Sequence, residues 1–150
     1  MEKKYFTLDE ANSLVPTLEL KLNQVVRIKQ EIADIVTGLI RKQINVEKLF
    51  AMNQETLDEL GLGNVKKKLA ELGVTLNEVV EEIQELGCLV KDIDLGLVDF
   101  YALVDGQDIF YCWQLGEQEV RYWHSVNEGF ANRRPLFEED EAETREKFYH

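Results

Sequence analysis

Proline and cysteine are scarce in this chain, with two of each among 150 residues, and glycine is held to nine. Two prolines leave few places where a helix must break, and so few glycines leave little room for linkers. Cys88 and Cys112 stand far apart and outside any CxxC spacing, which excludes a disulfide framework and a thiolate-rich zinc module. They read as reduced thiols, buried as small hydrophobes in a cytoplasmic protein, with a disulfide between them as the alternative. Long apolar runs are missing as well. No stretch approaches the roughly 20 residues of a membrane-spanning helix, and Met1–Phe6 lacks the apolar core of a secretory leader, so no membrane partner is expected. Basic charge thins toward the C-terminus. Residues 1–68 hold 11 Lys+Arg against 10 Asp+Glu, whereas residues 69–150 hold 6 against 19. Such a surface repels phosphate, and no nucleic-acid partner is expected. Lys66-Lys67-Lys68 is a short basic run that reads as a solvated helix face.

What is present is a globular composition, 45% hydrophobic and 31% charged, enough for one domain with its own core. Thr7 and Glu10 form a capping box that starts a helix, and Asp9 adds negative charge where the helix dipole favours it. Leu14, Leu18, Leu22, Val25, Ile28, Ile32, Ile35 and Leu39 then recur at steps of three or four, the seam of a bundle helix or coiled coil. Pro16 removes the bond to the Asn12 carbonyl, so a kink is expected there, with the Asn12 amide or a water at the freed group. The chain should reverse over Gly38–Asn45. A second series, Leu57, Leu60, Val65, Leu69, Leu72, Leu76, Val79, Ile83 and Leu86, predicts a long return helix. Its phase runs through Gly73 without a break, although Thr75 and Glu78 could form a second capping box. A weak or broken zone falls at Gly61–Gly63, and Gly87 is the C-cap.

After Gly87 the apolar period drops to two. Leu97–Val104 and Ile109–Leu115 predict a β-hairpin about Asp105-Gly106-Gln107-Asp108. Val98, Phe100, Ala102 and Val104 lie on one face of their strand, and Ile109, Tyr111, Trp113 and Leu115 can do the same in theirs. Glu119–His124 predicts a third strand, and Arg133-Arg134-Pro135 ends the strand region. Residues 137–150 read as a charged tail, with Glu138–Lys147 a frayed helix or disordered. The architecture expected is α+β: a long antiparallel helical hairpin over 7–87, coiled-coil-like, then a small antiparallel sheet over 88–136.

Several segments in this order carry a resemblance. Phe6-Thr7-Leu8-Asp9-Glu10-Ala11-Asn12-Ser13-Leu14-Val15-Pro16, Lys91-Asp92, Gly96-Leu97-Val98-Asp99-Phe100, Cys112-Trp113-Gln114-Leu115-Gly116-Glu117, Tyr122-Trp123-His124 and Gly129-Phe130 resemble the bacterial family called domain of unknown function 2203. Arg133-Arg134-Pro135 is similar to the arginine, any residue, proline that follows in the family. The resemblance spans residues 6 to about 136 and implies this layout; it implies no activity.

The chemistry-bearing residues crowd into the β segment. Asp92, Asp94, Asp99, Glu117 and Glu119 accompany His124, and such oxygen ligands with one imidazole suit a divalent ion such as Mn²⁺, Fe²⁺ or Zn²⁺. Equally, these acids can cap turns while His124 is a hydrogen-bonded core residue. Asp99 is the sharpest of them, a carboxylate between Val98 and Phe100 in an apolar strand. If the Leu97/Asp99/Tyr101 face is buried it needs a partner, and Arg121, Arg133 and Lys91 are the choices. Trp123, His124, Trp113 and Tyr111 could wall an aromatic pocket, and Arg133 and Arg134 could clamp an anion. Cys112 near His124 invites a thiolate–imidazole reading, but no third orienting residue can be named. P-loop, dinucleotide and nucleophile-elbow motifs are missing, so the sequence leaves open whether the chain is an enzyme.

Two readings follow. In one, the helices self-associate as a homodimer or higher homo-oligomer, an assembly module whose β segment holds a ligand or partner through residues such as Asp99, Trp123, Arg133 and Arg134. In the other, Asp92, Asp94, Asp99, Glu117 and His124 bind a divalent metal, as a metal protein or a metal-assisted enzyme.

Overall fold

The computed structural model describes residues 3–137, and apart from Phe137 the expected charged tail lies outside them. The α+β architecture is as expected: helix α1 (Leu8–Arg41), three further helices α2 (Val46–Ala51), α3 (Gln54–Leu60) and α4 (Gly63–Glu85), then a sheet of strands β1 (Leu89–Asp92), β2 (Leu97–Val104), β3 (Gln107–Gln114), β4 (Tyr122–Ser125) and β5 (Arg134–Pro135). The five strands form one antiparallel meander in chain order. The chain divides into two compact units, one of residues 24–80 and one joining the residues before and after them.

The 24–80 unit is helical, and its bends are set by local chemistry. At the end of α1, Gln43 takes a left-handed φ of 63°. The Ile44 N–H then bonds back to the Leu39 carbonyl at 2.9 Å, and the Gln43 N–H to that of Ile40 at 2.8 Å. This is a Schellman ending, and its two apolar members, Leu39 and Ile44, both enter the buried cluster with Leu49, Leu57, Leu62 and Leu69. Gly38 therefore lies inside α1, and the reversal begins only at Lys42, later than the sequence pattern indicated. Burial of Leu39 and Ile44 offsets the cost of a left-handed glutamine.

The return is not one helix either. Asn45 caps α2 by accepting from the Lys48 N–H at 2.7 Å, and Asn53 caps α3 by accepting from the Thr56 N–H at 2.8 Å. The break foreseen at Gly61–Gly63 is real: Gly61 has φ 67°, and the Leu62 N–H closes on the Leu57 carbonyl at 2.9 Å. Beyond it α4 runs through Gly73 uninterrupted. Thr75 does not cap, because its hydroxyl donates to the Glu71 carbonyl one turn back at 3.0 Å.

In the other unit the capping box forms as read, with Glu10 N–H to Thr7 Oγ1 at 3.1 Å and Thr7 N–H to Glu10 Oε1 at 2.9 Å. Pro16 lies within the continuous α1. Asn12, expected to serve the freed carbonyl, instead accepts from the Val120 N–H at 2.7 Å. Val120 thus bonds to α1 and not to a neighbouring strand, and β4 starts at Tyr122 rather than Glu119. Lys21 on α1 meets Glu82 on α4 at 2.6 Å. Gly87, at φ 98°, ends that helix as expected.

The hairpin is a two-residue turn. Asp105 and Gly106 both have positive φ, 51° and 77°, and Val104 pairs directly with Gln107. This fixes the register of β2 on β3, so Val98, Phe100 and Ala102 lie opposite Trp113, Tyr111 and Ile109. On that face Val98, Phe100, Ala102, Tyr111 and Trp113 are sealed into the core, with Phe6 edge-on to Phe100 at 5.2 Å. Tyr5 bridges to Tyr101, and the Phe6 N–H donates to the Tyr101 carbonyl, extending the sheet edge beyond β1.

Candidate ligand site on the second face of the sheet

The same register dictates what occupies the other face. Asp99 falls opposite Cys112, and Phe110 opposite His124. Alternation therefore sets Asp99, Cys112 and His124 on one side of three adjacent strands. These three side chains are themselves buried: Asp99 is 2%, Cys112 1% and His124 3% exposed. Asp99 and His124 are the buried charged or polar residues of the described core.

Geometry assigns the protons. His124 Nδ1 lies 2.8 Å from the Ser125 carbonyl oxygen, which can only accept, so Nδ1 carries a hydrogen. In the neutral ring Nε2 is then a bare acceptor. Yet Nε2 faces Asp99 Oδ2 at 3.0 Å, and two acceptors at that distance need a cation between them. A proton shared by carboxylate and imidazole serves as that cation. The second oxygen, Asp99 Oδ1, is buried without a hydrogen-bond partner among the described residues. Burial pushes the Asp99 carboxyl above its ordinary range, with the His124 ring opposing. Burial also pushes the Cys112 thiol up to about 12, the Asp99 charge adding to the rise and the Arg133 guanidinium opposing it.

A cavity of about 210 Å³ opens onto this group. Its walls include Lys91, Leu97, Glu128 and Phe130 with Asp99, Cys112 and His124. Donor atoms of Asp99, Cys112 and His124 all lie within 4.8 Å of one another. Arg133 braces the segment that carries Glu128 and Phe130. Its guanidinium forks onto Glu117, with both N···O distances 3.0 Å, and lies 4.0 Å from the Tyr122 ring centre and 4.3 Å from that of Phe130. Glu117 also accepts from the Gln114 N–H at 2.6 Å. Lys91 sits over the Phe110 ring at 4.6 Å.

The structure thus divides the residues singled out from sequence. Asp99 and His124 come together. Asp92 instead accepts from the Leu95 N–H at 3.0 Å as a turn cap, Asp94 is exposed, and Glu119 takes the Arg121 guanidinium at 3.0 Å. Glu117 is committed to Arg133. The partner of Asp99 is none of Arg121, Arg133 or Lys91 but the imidazole. Trp123 pairs across from Tyr111 and so lies on the opposite face from His124. Trp123, Trp113 and Tyr111 consequently do not wall a pocket with that histidine. Arg134 stacks on Trp123 at 4.9 Å and bonds Glu128 at 3.1 Å, on the rim and not in the centre. Cys112 gains the third residue that the sequence reading lacked, but the trio is no nucleophile–base pair: both ring nitrogens are engaged elsewhere, and the thiol is held protonated.

What these features define is an α+β protein with a buried carboxylate–imidazole–thiol centre on the second face of its sheet. The chain belongs to the family described as an uncharacterized conserved protein (DUF2203), whose model matches residues 4–136. It matches no curated protein and no solved structure. Among the described residues no helix is long and apolar enough to cross a membrane.

Proposed function

We propose that the chain is a binding protein whose ligand site is the cavity floored by Asp99, His124 and Cys112. One observation carries this reading: among the described residues Asp99 Oδ1 has no hydrogen-bond partner, and it is buried in the wall of a cavity. An orphaned buried carboxylate oxygen costs free energy that a bound donor or cation would recover. At about 210 Å³ the space is below the roughly 300 Å³ at which drug-sized pockets begin. The ligand class is therefore small and cationic or donor-bearing, seated on Asp99 with Lys91 and Glu128 nearby. Two free, buried cysteines fit a reducing compartment, so a cytoplasmic location is part of the proposal. The test is a thermal-shift panel of small amines, guanidines, amides and divalent ions on wild type and Asp99→Asn. A compound that raises the melting temperature of wild type alone supports the site; silence across the panel refutes it.

Self-association through the helices is the second part. Val26 and Ile40 are 51% and 60% exposed and lie two heptads apart on α1, outside the stripe of Val25, Ile28 and Leu39 that is buried. Two exposed apolar side chains at that spacing support a helix-mediated dimer. Light scattering should give twice the chain mass at micromolar concentration and the single mass for Val26→Asp/Ile40→Asp; a wild-type monomer rejects the idea.

A further inference from the structure

We infer that Asp99, Cys112 and His124 form a binding centre for one divalent first-row transition ion, an inference that rests on the ligand-site reading above and specifies its occupant. Four observations converge. The donors are one carboxylate, one sulfur and one imidazole nitrogen, and their ligating atoms all lie within 4.8 Å of one another. The His124 Nδ1–H is held by the Ser125 carbonyl at 2.8 Å, which aims the bare Nε2 at the centre, as backbone carbonyls orient metal-bound histidines. Asp99 Oδ1 is buried without a hydrogen-bond partner among the described residues, so the carboxylate has an acceptor to spare. Finally, the three residues share one cavity, which leaves room for water or a further donor on the ion.

The donor set selects the ion. Magnesium and calcium want shells of oxygen, whereas a mixed oxygen, nitrogen and sulfur set suits Zn²⁺, Co²⁺ or Fe²⁺. Tetrahedral bonds of about 2.0–2.3 Å place neighbouring ligand atoms about 3.3–3.6 Å apart. With Nε2 and Oδ2 at 3.0 Å, the pair need open only slightly to admit the ion. Charge balances too: a divalent ion enters, while the thiol proton and the proton shared by Asp99 and His124 leave. No oxidation state changes. The buried centre stays neutral throughout, which suits side chains that are themselves buried. Asp92, Asp94 and Glu117, which the sequence pattern alone would recruit, take no part.

The test is titration of the reduced full-length chain with Co²⁺ and with Zn²⁺. Expected are one ion per chain and a cysteinate-to-cobalt charge-transfer absorption that Cys112→Ser abolishes and Cys88→Ser keeps. Asp99→Asn should weaken Zn²⁺ binding on the order of 100-fold or more. Failure to bind one ion per chain, or an absorption that survives Cys112→Ser, overturns the inference. Cadmium NMR of the unsubstituted protein gives a readout that does not depend on variants folding. A resonance position typical of one sulfur donor is expected, and one typical of oxygen donors alone overturns it. If the metals fail while a small amine or amide stabilises wild type but not Asp99→Asn, the pocket reading stands and the metal reading falls. If that panel is silent as well, both fall.

Discussion

Asp99→Asn and Asp99→Ala remove the same charge, yet they are expected to part widely in stability. Because the Ser125 carbonyl keeps the hydrogen on His124 Nδ1, Nε2 is an acceptor that must be served. An asparagine at 99 places an N–H donor near where Oδ2 now lies, 3.0 Å from Nε2. The hydrogen bond survives without the shared proton, and the cost should be about 1 kcal/mol or less. Alanine leaves Nε2 buried with no partner and opens a void beside Cys112. Breaking a buried pair on one side costs about 3–5 kcal/mol, of which about 1–3 kcal/mol is the orphaned nitrogen alone. The two variants should thus differ by about 2 kcal/mol or more. Urea denaturation followed by tryptophan emission reads this directly, since Trp113 is wholly buried beneath the same sheet. Equal losses for asparagine and alanine would refute the proton assignment on which the site rests. So would an alanine variant that loses less than about 1 kcal/mol.

Three other perturbations report on neighbouring parts of the structure. Arg133→Ala removes a fork whose side chains are only 15% and 21% exposed, together with two ring contacts; a loss of about 2–4 kcal/mol in the same assay is expected, with Arg133→Lys restoring less than half because ammonium neither forks nor stacks. Gly73→Ala lies in mid-helix with nothing within 4 Å of the added carbon, so the denaturation midpoint should rise, by about 0.5–1 kcal/mol in stability. Acid should weaken the protein at two carboxylates, the exposed Glu10 and the half-buried Asp108. The Thr7 backbone N–H and hydroxyl hold Glu10 below its ordinary 4.5, and hydrogen bonds from Lys3 and Tyr5 hold Asp108 below 3.8. With depressed values, their contribution is fully present above those ordinary values and is lost as the pH falls through the folded ones. The double variant Glu10→Gln/Asp108→Asn should therefore show a shallower decline in stability between pH 5 and pH 3 than wild type, measured by circular dichroism at a series of pH values; an unchanged slope would count against both contacts.

How far the residues announce this structure depends on how local each determinant is. The capping box at Thr7, the C-cap at Gly87 and the turn at Asp105-Gly106 act within four residues, and each was legible. The exit of α1 was not, because a glutamine takes the left-handed position and the stabilising contact is between Leu39 and Ile44 in a shared cluster. Asn45 and Asn53 were available signals for two short helices, but the apolar periodicity masked them. Strand β1 has four residues and an irregular register at Val90–Asp92, too short for alternation to show. At the site, the alternation around Asp99 was readable, and so in principle was its neighbour: a two-residue turn fixes the hairpin register and puts Cys112 across from Asp99. His124 was a different matter. Its approach depends on how β4 is placed, and the segment just before β4 is tied to Asn12, a residue 108 positions from Val120 in sequence. Counting acids in the segment pointed to Asp92, Asp94 and Glu117, of which a turn holds Asp92, Arg133 holds Glu117 and Asp94 is exposed.

The most direct measurement of the central claim is an anomalous difference map at the zinc absorption edge, from crystals of the full chain grown with Zn²⁺. A single strong peak bonded to Asp99, His124 Nε2 and Cys112 Sγ, at about 2.0–2.3 Å from the nitrogen and sulfur, is the result expected. Zinc found only on surface carboxylates such as Asp92 and Asp94, with Asp99 and His124 still in direct contact, would contradict it.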